Sequence, residues 1–266
     1  MTSSPLIAVD IGNQRAKFGL FGGEDVEGLP EPEQTATVEG GTTADFDALD
    51  AWIAPRRRET LSWWIGSVNR PTATGLIGWL RSRRPDDAIT LLAACDVPLR
   101  VSLARPDMVG IDRLLDALAA DALRTAGRPA VVVDIGSAIT VDLISRDGAF
   151  QGGAILPGIA MSARAMHTFT DLLPAIDMRE LTSPPRAAGD CTEAAMRSGL
   201  FWGAVGAIRE LVAQLAGDES PRVDVFLTGG ASPAVAGLLG RDARHIPHLT
   251  LAGIALAAKA TQRRTT

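Results

Sequence analysis

The chain has 266 residues, 46% apolar and 21% charged, which suits a globular protein and is long enough for two domains. Its formal charge of −5 gives no electrostatic reason to bind nucleic acid. Only Met-Thr-Ser-Ser-Pro precedes the first strand, and no run approaches the roughly twenty apolar residues of a membrane helix. No secretory signal and no membrane partner are therefore expected, and the expected location is cytoplasmic.

Leu6 to Val9 and Ala16 to Phe21 read as paired strands around a turn. A stretch rich in Gly, Pro, Glu and Thr follows from Glu24 to Asp45, with a strand at Gln34 to Val38. Phe46 to Ile53 reads as a helix with Asp45 available as its cap, and Ser62 to Val68 as a short strand ending at Asn69-Arg70-Pro71. A helix over Thr72 to Arg83 and a strand over Ala88 to Ala93 complete this part. From Arg113 to Thr125, Leu114, Leu115, Leu118, Ala119 and Ala122 share one helical face. Ala130 opens a second set: strands to Val133, at Thr140 to Ile144 and at Gly152 to Ile155, with Asp147-Gly148 at a hairpin turn. Helices at Ser162 to Phe169 and Thr192 to Leu215, a strand at Val223 to Leu227 and a helix at Ala252 to Lys259 finish the chain.

One motif occurs twice, about half a chain length apart. Asp10-Ile-Gly-Asn follows the first strand, and Asp134-Ile-Gly-Ser follows Val131-Val-Val. A strand that ends in Asp-x-Gly and turns into another strand suits phosphate handling. The glycine allows close backbone approach, successive N–H groups can face an anion, and the carboxylate can hold a cation. The repeated order of strand, turn, strand, strand and then alternating helices and strands is an internal duplication. That is the arrangement of the actin, hexokinase and Hsp70 superfamily. The expected fold class is therefore α/β, with two duplicated ribonuclease H-like domains around a central cleft, at 1–114 and 115–266. Fold alone gives phosphoryl transfer only as a prior.

Four constellations carry chemistry. Arg15 and Lys17 alternate on one side of the first hairpin, where they can reach phosphate oxygens, although Asp-x-Gly-Asn also suits a plain turn. Gly110-Ile111-Asp112-Arg113 opens the Leu-rich helix. Asp112 is either its N-cap or a carboxylate held ionised by the dipole, with the Arg113 fork ready for a substrate acid group. Gly152 to Gly158 implies close backbone approach to a ligand or to packed structure, and sequence does not separate the two. Gly189-Asp190-Cys191-Thr192 precedes a helix containing Gly199, Gly203 and Gly206. Thr192 there is a cap or faces a substrate, and the glycines permit close helix contact. The clusters Arg56 to Arg58 and Arg81, Arg83, Arg84 read as solvated faces, and Cys95 and Cys191 as buried or idle thiols.

In order along the chain, these residues resemble the type III pantothenate kinases. The resemblance rests on Asp10 to Asn13, Ser67-Val68, Pro106 to Arg113, Asp134 to Thr140 and Gly152 to Gly158. It continues through Leu173-Pro174, Gly189 to Thr192 and Thr228-Gly229-Gly230. It implies ATP-dependent phosphorylation of pantothenate, the first step towards coenzyme A. Asp112 would be the proton acceptor, and Gly110, Ile111, Asp112 and Arg113 would contact pantothenate. Asp10, Ile11, Gly12, Asn13, Gln14, Arg15, Ala16 and Lys17 would form the ATP phosphate loop in the first domain, and Ser137 would contact ATP. Asp134 in the second domain would bind a monovalent cation, potassium or ammonium, and magnesium would accompany the ATP. Thr192 would touch pantothenate from the other protomer of a homodimer, and Leu103 stands where many members have a substrate-site Tyr. Gln14 and Ser137 stand where Thr is usual, and Asp116 where Asn is usual. Two alternatives remain beside this reading: a non-catalytic relative that binds ligand as a regulator, motivated by Gln14 and Leu103, and a kinase of another small hydroxylated substrate.

Overall fold

The computed structural model describes residues 4–22, 28–40, 43–178, 183–217, 222–240 and 243–265. The Gly- and Pro-rich stretch expected from Glu24 lies partly outside them. The elements in chain order are β1 (Leu6–Ile11), β2 (Arg15–Phe21), β3 (Gln34–Glu39), α1 (Thr43–Phe46), α2 (Ala48–Ile53), β4 (Ser62–Ser67), α3 (Arg70–Arg83), β5 (Ala88–Leu91), β6 (Arg100–Val101) and α4 (Ile111–Leu123). There follow β7 (Ala130–Ile135), β8 (Ala138–Ile144), β9 (Ala149–Pro157), α5 (Ile159–Thr168), α6 (Thr192–Ala216), β10 (Asp224–Thr228), α7 (Ser232–Ala236), β11 (Ala243–His245) and α8 (Leu249–Thr265).

Contacts divide the chain into two units. The first is Met1–Arg100, Ala104–Leu123 and His248–Thr266, and the second is Val101–Leu103 and Arg124–Pro247. A single cut after residue 114 does not match this division, because α4 and α8 both pack within the first unit. Helical periodicity announces that an apolar face will be buried, not which sheet will bury it.

In the first unit the sheet order is β3-β2-β1-β4-β5, with β1–β2 and β2–β3 antiparallel and β1–β4 and β4–β5 parallel. Side chains alternate along each strand, so each strand serves two layers. Ile7, Val9, Ile11, Phe18, Leu20, Trp63 and Ile65 face one way and close a core with Phe46, Leu49, Leu76 and Trp79 of α1, α2 and α3. The opposite face carries small residues. A Cβ on Gly19 would meet Leu251 of α8 at 3.1 Å, and one on Gly66 would meet Leu115 of α4 at 2.8 Å. These strand glycines let α4 and α8 settle close to the sheet.

The helix expected from Phe46 is split into α1 and α2 at Asp47, whose side chain accepts from Trp79 Nε1 (2.9 Å). Asp45 lies inside α1 and is not a cap. Asn69 caps α3 by accepting from Thr72 N (3.2 Å). The arginine clusters are ion-paired: Arg56 with Glu33 and Glu59, and Arg83 with Asp47 and Asp50. Arg84 is not on a solvated face. It is buried against Asp87, with side chains 9% and 2% exposed. Cys95 and Cys191 are both free and exposed, so neither is a buried thiol.

The second unit repeats the plan in the order β11-β10-β7-β8-β9-β6. β7, β8 and β9 form the antiparallel meander, while β10 and β11 run parallel to β7. Val131, Val133, Ile135, Ile139 and Val141 share a core with Phe201, Val205 and Ile208 of α6. The two units are thus duplicated ribonuclease H-like folds, each with one strand pair around an Asp-x-Gly turn. The short elements β6, α7 and β11 are additions to the expected pattern, which had no periodic signal for them.

Candidate active site

Strand parity decides what surrounds Asp10. It stands opposite Lys17 on β2 and Gly66 on β4, on the face that carries α4 and α8. Lys17 Nζ lies 4.0 Å from Asp10 Oδ2, the side chains being 28% and 17% exposed. Arg15, two residues before Lys17, is on the same side of β2 and exposed, as the hairpin reading expected. The turn itself is Gly12-Asn13-Gln14, closed by Gly12 N to Arg15 O at 3.1 Å. Asn13 and Gln14 are exposed there, while Ile11 and Ala16 are core residues.

Asp112 enters the same face through α4. Leu114 N–H donates to Gly110 O (3.4 Å), so the helix starts from Gly110 and Asp112 is its second residue, not its N-cap. Its Oδ1 accepts from Arg113 N at 2.8 Å, satisfying one of the first-turn donors that a helix leaves open. Ile111 is buried, and Arg113 is half-buried. Gly66, which sequence reasoning did not single out, makes this arrangement possible by admitting Leu115 against β4. Its only signal was a glycine inside the apolar strand Ser62 to Ser67.

The two carboxylates respond to this setting. Burial pushes Asp10 above its usual range; Lys17 pulls it back, the Asp112 charge adds to the rise, and Arg15 lowers it slightly. Burial also raises Asp112, opposed by the Arg113 N–H and the Arg113 charge. Asp10 thus feels both the Lys17 cation and the Asp112 charge, while the cation that acts on Asp112 is Arg113.

In the second unit, Asp134 stands opposite Thr140 on β8 and Thr228 on β10, the positions equivalent to Lys17 and Gly66 around Asp10. The turn after it is one residue shorter, just Gly136-Ser137, closed by Gly136 N to Ala138 O at 3.0 Å. Gly229 has a φ of +94°, and a Cβ on it would overlap Asp134 Oδ1 and the Ile135 backbone. The β10 turn is therefore pressed onto the Asp134 carboxylate. Gly158 N donates to Ser137 O (3.1 Å), and a side chain at 158 would strike the Gly136 and Ser137 carbonyls. Gly153 is likewise pressed against Val141 O. The glycine-rich segment is thus explained by packed structure at Gly153 and Gly158, and it braces the Ser137 turn.

Leu103 packs on Gly152, which has a φ of +91°, with its Cδ2 3.3 Å from where a Cβ would lie. Thr192 is the first residue of α6, exposed, with Cys191 rather than Thr192 at the N-cap. Gly189 lies against the Ala194–Ala195 backbone, whereas Gly199, Gly203 and Gly206 have nothing within 4 Å of an added Cβ among the described residues. Those three do not serve a contact within the described chain. Asp116 is buried, 3% exposed, one turn beyond Asp112.

The chain is similar in sequence and in fold to known proteins. The family model described as Type III pantothenate kinase matches residues 6–214. A type III pantothenate kinase of Paramagnetospirillum magneticum is 32% identical over 239 residues, covering 87% of this chain and 88% of its own. Among solved structures, a Baf family transcriptional activator from Campylobacter jejuni has a TM-score of 0.60 at 20% identity, over 97% of this chain and 99% of its own. MreB5 of Spiroplasma citri, bound to ADP, has a TM-score of 0.55 at 11% identity, covering 100% of this chain and 99% of its own. The structural likenesses speak for the duplicated actin-like fold, while the family match and the sequence identity reach further: the chain belongs to the type III pantothenate kinase family.

Proposed function

We propose that this enzyme, which phosphorylates pantothenate with ATP on the route to coenzyme A, uses Asp112 as the proton acceptor. The observation that carries the reading is the grouping of Asp10, Lys17 and Asp112 on one face of the first sheet. The terminal hydroxyl of pantothenate attacks the γ-phosphorus of ATP, its proton passes to the Asp112 carboxylate, and ADP departs to leave 4'-phosphopantothenate. In a loose transition state the base accepts the proton late. A carboxyl raised by burial is a stronger acceptor than a free one, which suits that task. Gly110, Ile111 and Arg113 contact pantothenate, with the Arg113 fork taking its carboxylate.

The phosphates of ATP lie against residues 10 to 17, where Lys17 and Arg15 supply positive charge and the turn supplies N–H groups. Magnesium requires hard oxygen ligands, and the Asp10 carboxylate is of that kind. Asp134 holds the monovalent cation. Its carboxylate beside the Gly229 turn offers oxygen ligands of the kind such an ion takes. Ser137, in the turn braced by Gly158, contacts ATP, and Leu103 lines the pantothenate site. A cytoplasmic setting belongs to this reading, and among the described residues no helix is long and apolar enough to cross a membrane.

A homodimer is part of the same proposal. The exposed Thr192, Ala195, Gly199, Gly203 and Gly206 give α6 a small-residue face onto which a second copy can pack closely, bringing Thr192 to its partner's pantothenate. Light scattering of the purified protein tests the dimer. For the reaction, the protein is assayed with ATP, magnesium and pantothenate, with and without potassium, beside Asp112→Asn. Turnover by the wild type and a loss of roughly 10²- to 10⁴-fold in the variant are expected. Equal activity of the variant removes Asp112 from its role. Binding of pantothenate without turnover would instead favour a ligand-binding regulator.

A further inference from the structure

Gly110 sits between Val68 and the Asp112 carboxylate. A Cβ built on it would lie 2.6 Å from Asp112 Oδ1, 3.7 Å from Asp112 Cγ and 3.9 Å from Val68 Cγ1. The oxygen it would strike is the same Oδ1 that accepts the Arg113 N–H at 2.8 Å. Gly110 is not among the residues at positive φ, so alanine can adopt its backbone conformation. The Val68 contact is an ordinary one, and the only close approach is to the end of a side chain that can rotate. Gly229 beside Asp134 is different: it has a positive φ, and its Cβ would also meet backbone. A side chain at 229 therefore strains the fold, whereas one at 110 displaces a carboxylate.

We infer that Gly110 is a positioning residue for Asp112: the missing side chain lets Oδ1 rest on the Arg113 N–H, which fixes the carboxylate rotation and turns Oδ2 towards the acceptor hydroxyl. This rests on the reading of Asp112 as the proton acceptor. A misplacement of about 1 Å in a catalytic group can cost on the order of 10²-fold in rate. The carboxylate that leaves the Arg113 N–H also loses a hydrogen bond to its charged form, so it holds its proton to higher pH.

The test uses the full-length enzyme with Gly110→Ala, Asp112→Asn and the double variant. Gly110→Ala is expected to lower kcat by roughly 10- to 100-fold, to move the acid limb of the kcat/KM profile to higher pH, and to leave Tm within a degree or two of wild type. On the Asp112→Asn background the alanine is expected to change little, because the group it acts through is gone. A wild-type kcat and pH profile in Gly110→Ala overturns the inference. So does an equal loss on both backgrounds, which would mean that the alanine acts through the pantothenate contact of Gly110 and not through Asp112, or a Tm drop that accounts for the lost activity. If Asp112→Asn is itself fully active, the base assignment fails, and that outcome is read separately from the Gly110→Ala result.

Discussion

Lys17 and Asp10 face each other across β1 and β2, with Nζ 4.0 Å from Oδ2. At that distance, and with both side chains partly shielded, the pair is an electrostatic contact without a tight hydrogen bond. The ammonium therefore has donors left for a phosphate. Lys17→Met is expected to remove a charge-assisted contact of about 1.5–3 kcal/mol. Steady-state kinetics should show the KM for ATP raised roughly 10- to 100-fold, with the KM for pantothenate moving far less.

The raised carboxyls of Asp10 and Asp112 have a consequence for stability. The folded state holds these protons more tightly than the unfolded chain, whose carboxyls titrate near 3.8. Stability from these two sites is therefore greatest at pH values below 3.8 and falls as pH rises through that value to the folded pKa. Asp10→Asn and Asp112→Asn should each unfold at a higher temperature than wild type at pH 7. Differential scanning calorimetry across pH should show the advantage shrinking as the buffer approaches the unfolded carboxyl range.

Asp87 organises a different part of the first unit. It accepts from Leu61 N (3.0 Å), Trp63 Nε1 (2.8 Å) and the Arg84 guanidinium (2.7 and 3.0 Å). Arg84 in turn donates to the Arg57 and Glu59 carbonyls. Removing one partner of a buried pair leaves the other charge stranded. Asp87→Ala should lose about 3–5 kcal/mol in urea denaturation, followed by tryptophan fluorescence, without a selective effect on either substrate's KM.

Gly253 brings α8 onto α4. A Cβ there would overlap the Leu115 carbonyl and come within 3.1 Å of Leu115 Cα, so the contact is backbone to backbone. Gly253→Ala should destabilise by about 1–3 kcal/mol, despite alanine's better helix propensity. Because α4 carries Asp112, kcat should fall together with the denaturation midpoint.

Much of this was legible in the chain. The Asp-x-Gly turns, both meanders and most helices follow from short-range patterns, and the ordered motifs pointed to the family. Other features depend on which layer meets which. The Asp10 face is set by strand parity together with α4 and α8, and nothing local says that a helix ending at Leu123 stays with the first sheet. Asp47, where the helix is interrupted, keeps a helical backbone and accepts from Trp79 Nε1, a partner that lies far along the sequence. Arg84 looked like one more surface arginine because its partner Asp87 only becomes buried once Trp63 packs. The glycines from 152 to 158 could not be assigned from sequence, since the same residue serves a ligand or a tight backbone crossing.

The return of α8 to the first unit also sets an order of assembly. Residues 248–265 lie against β1 and α4, yet they are made after the whole of the second unit. During synthesis the second unit can close its sheet while the first waits with Ala8 and Gly19 uncovered. The half that begins the chain is therefore the half that matures last, and its pairing of the earliest strand with the final helix is a long-range step of the kind that slows folding.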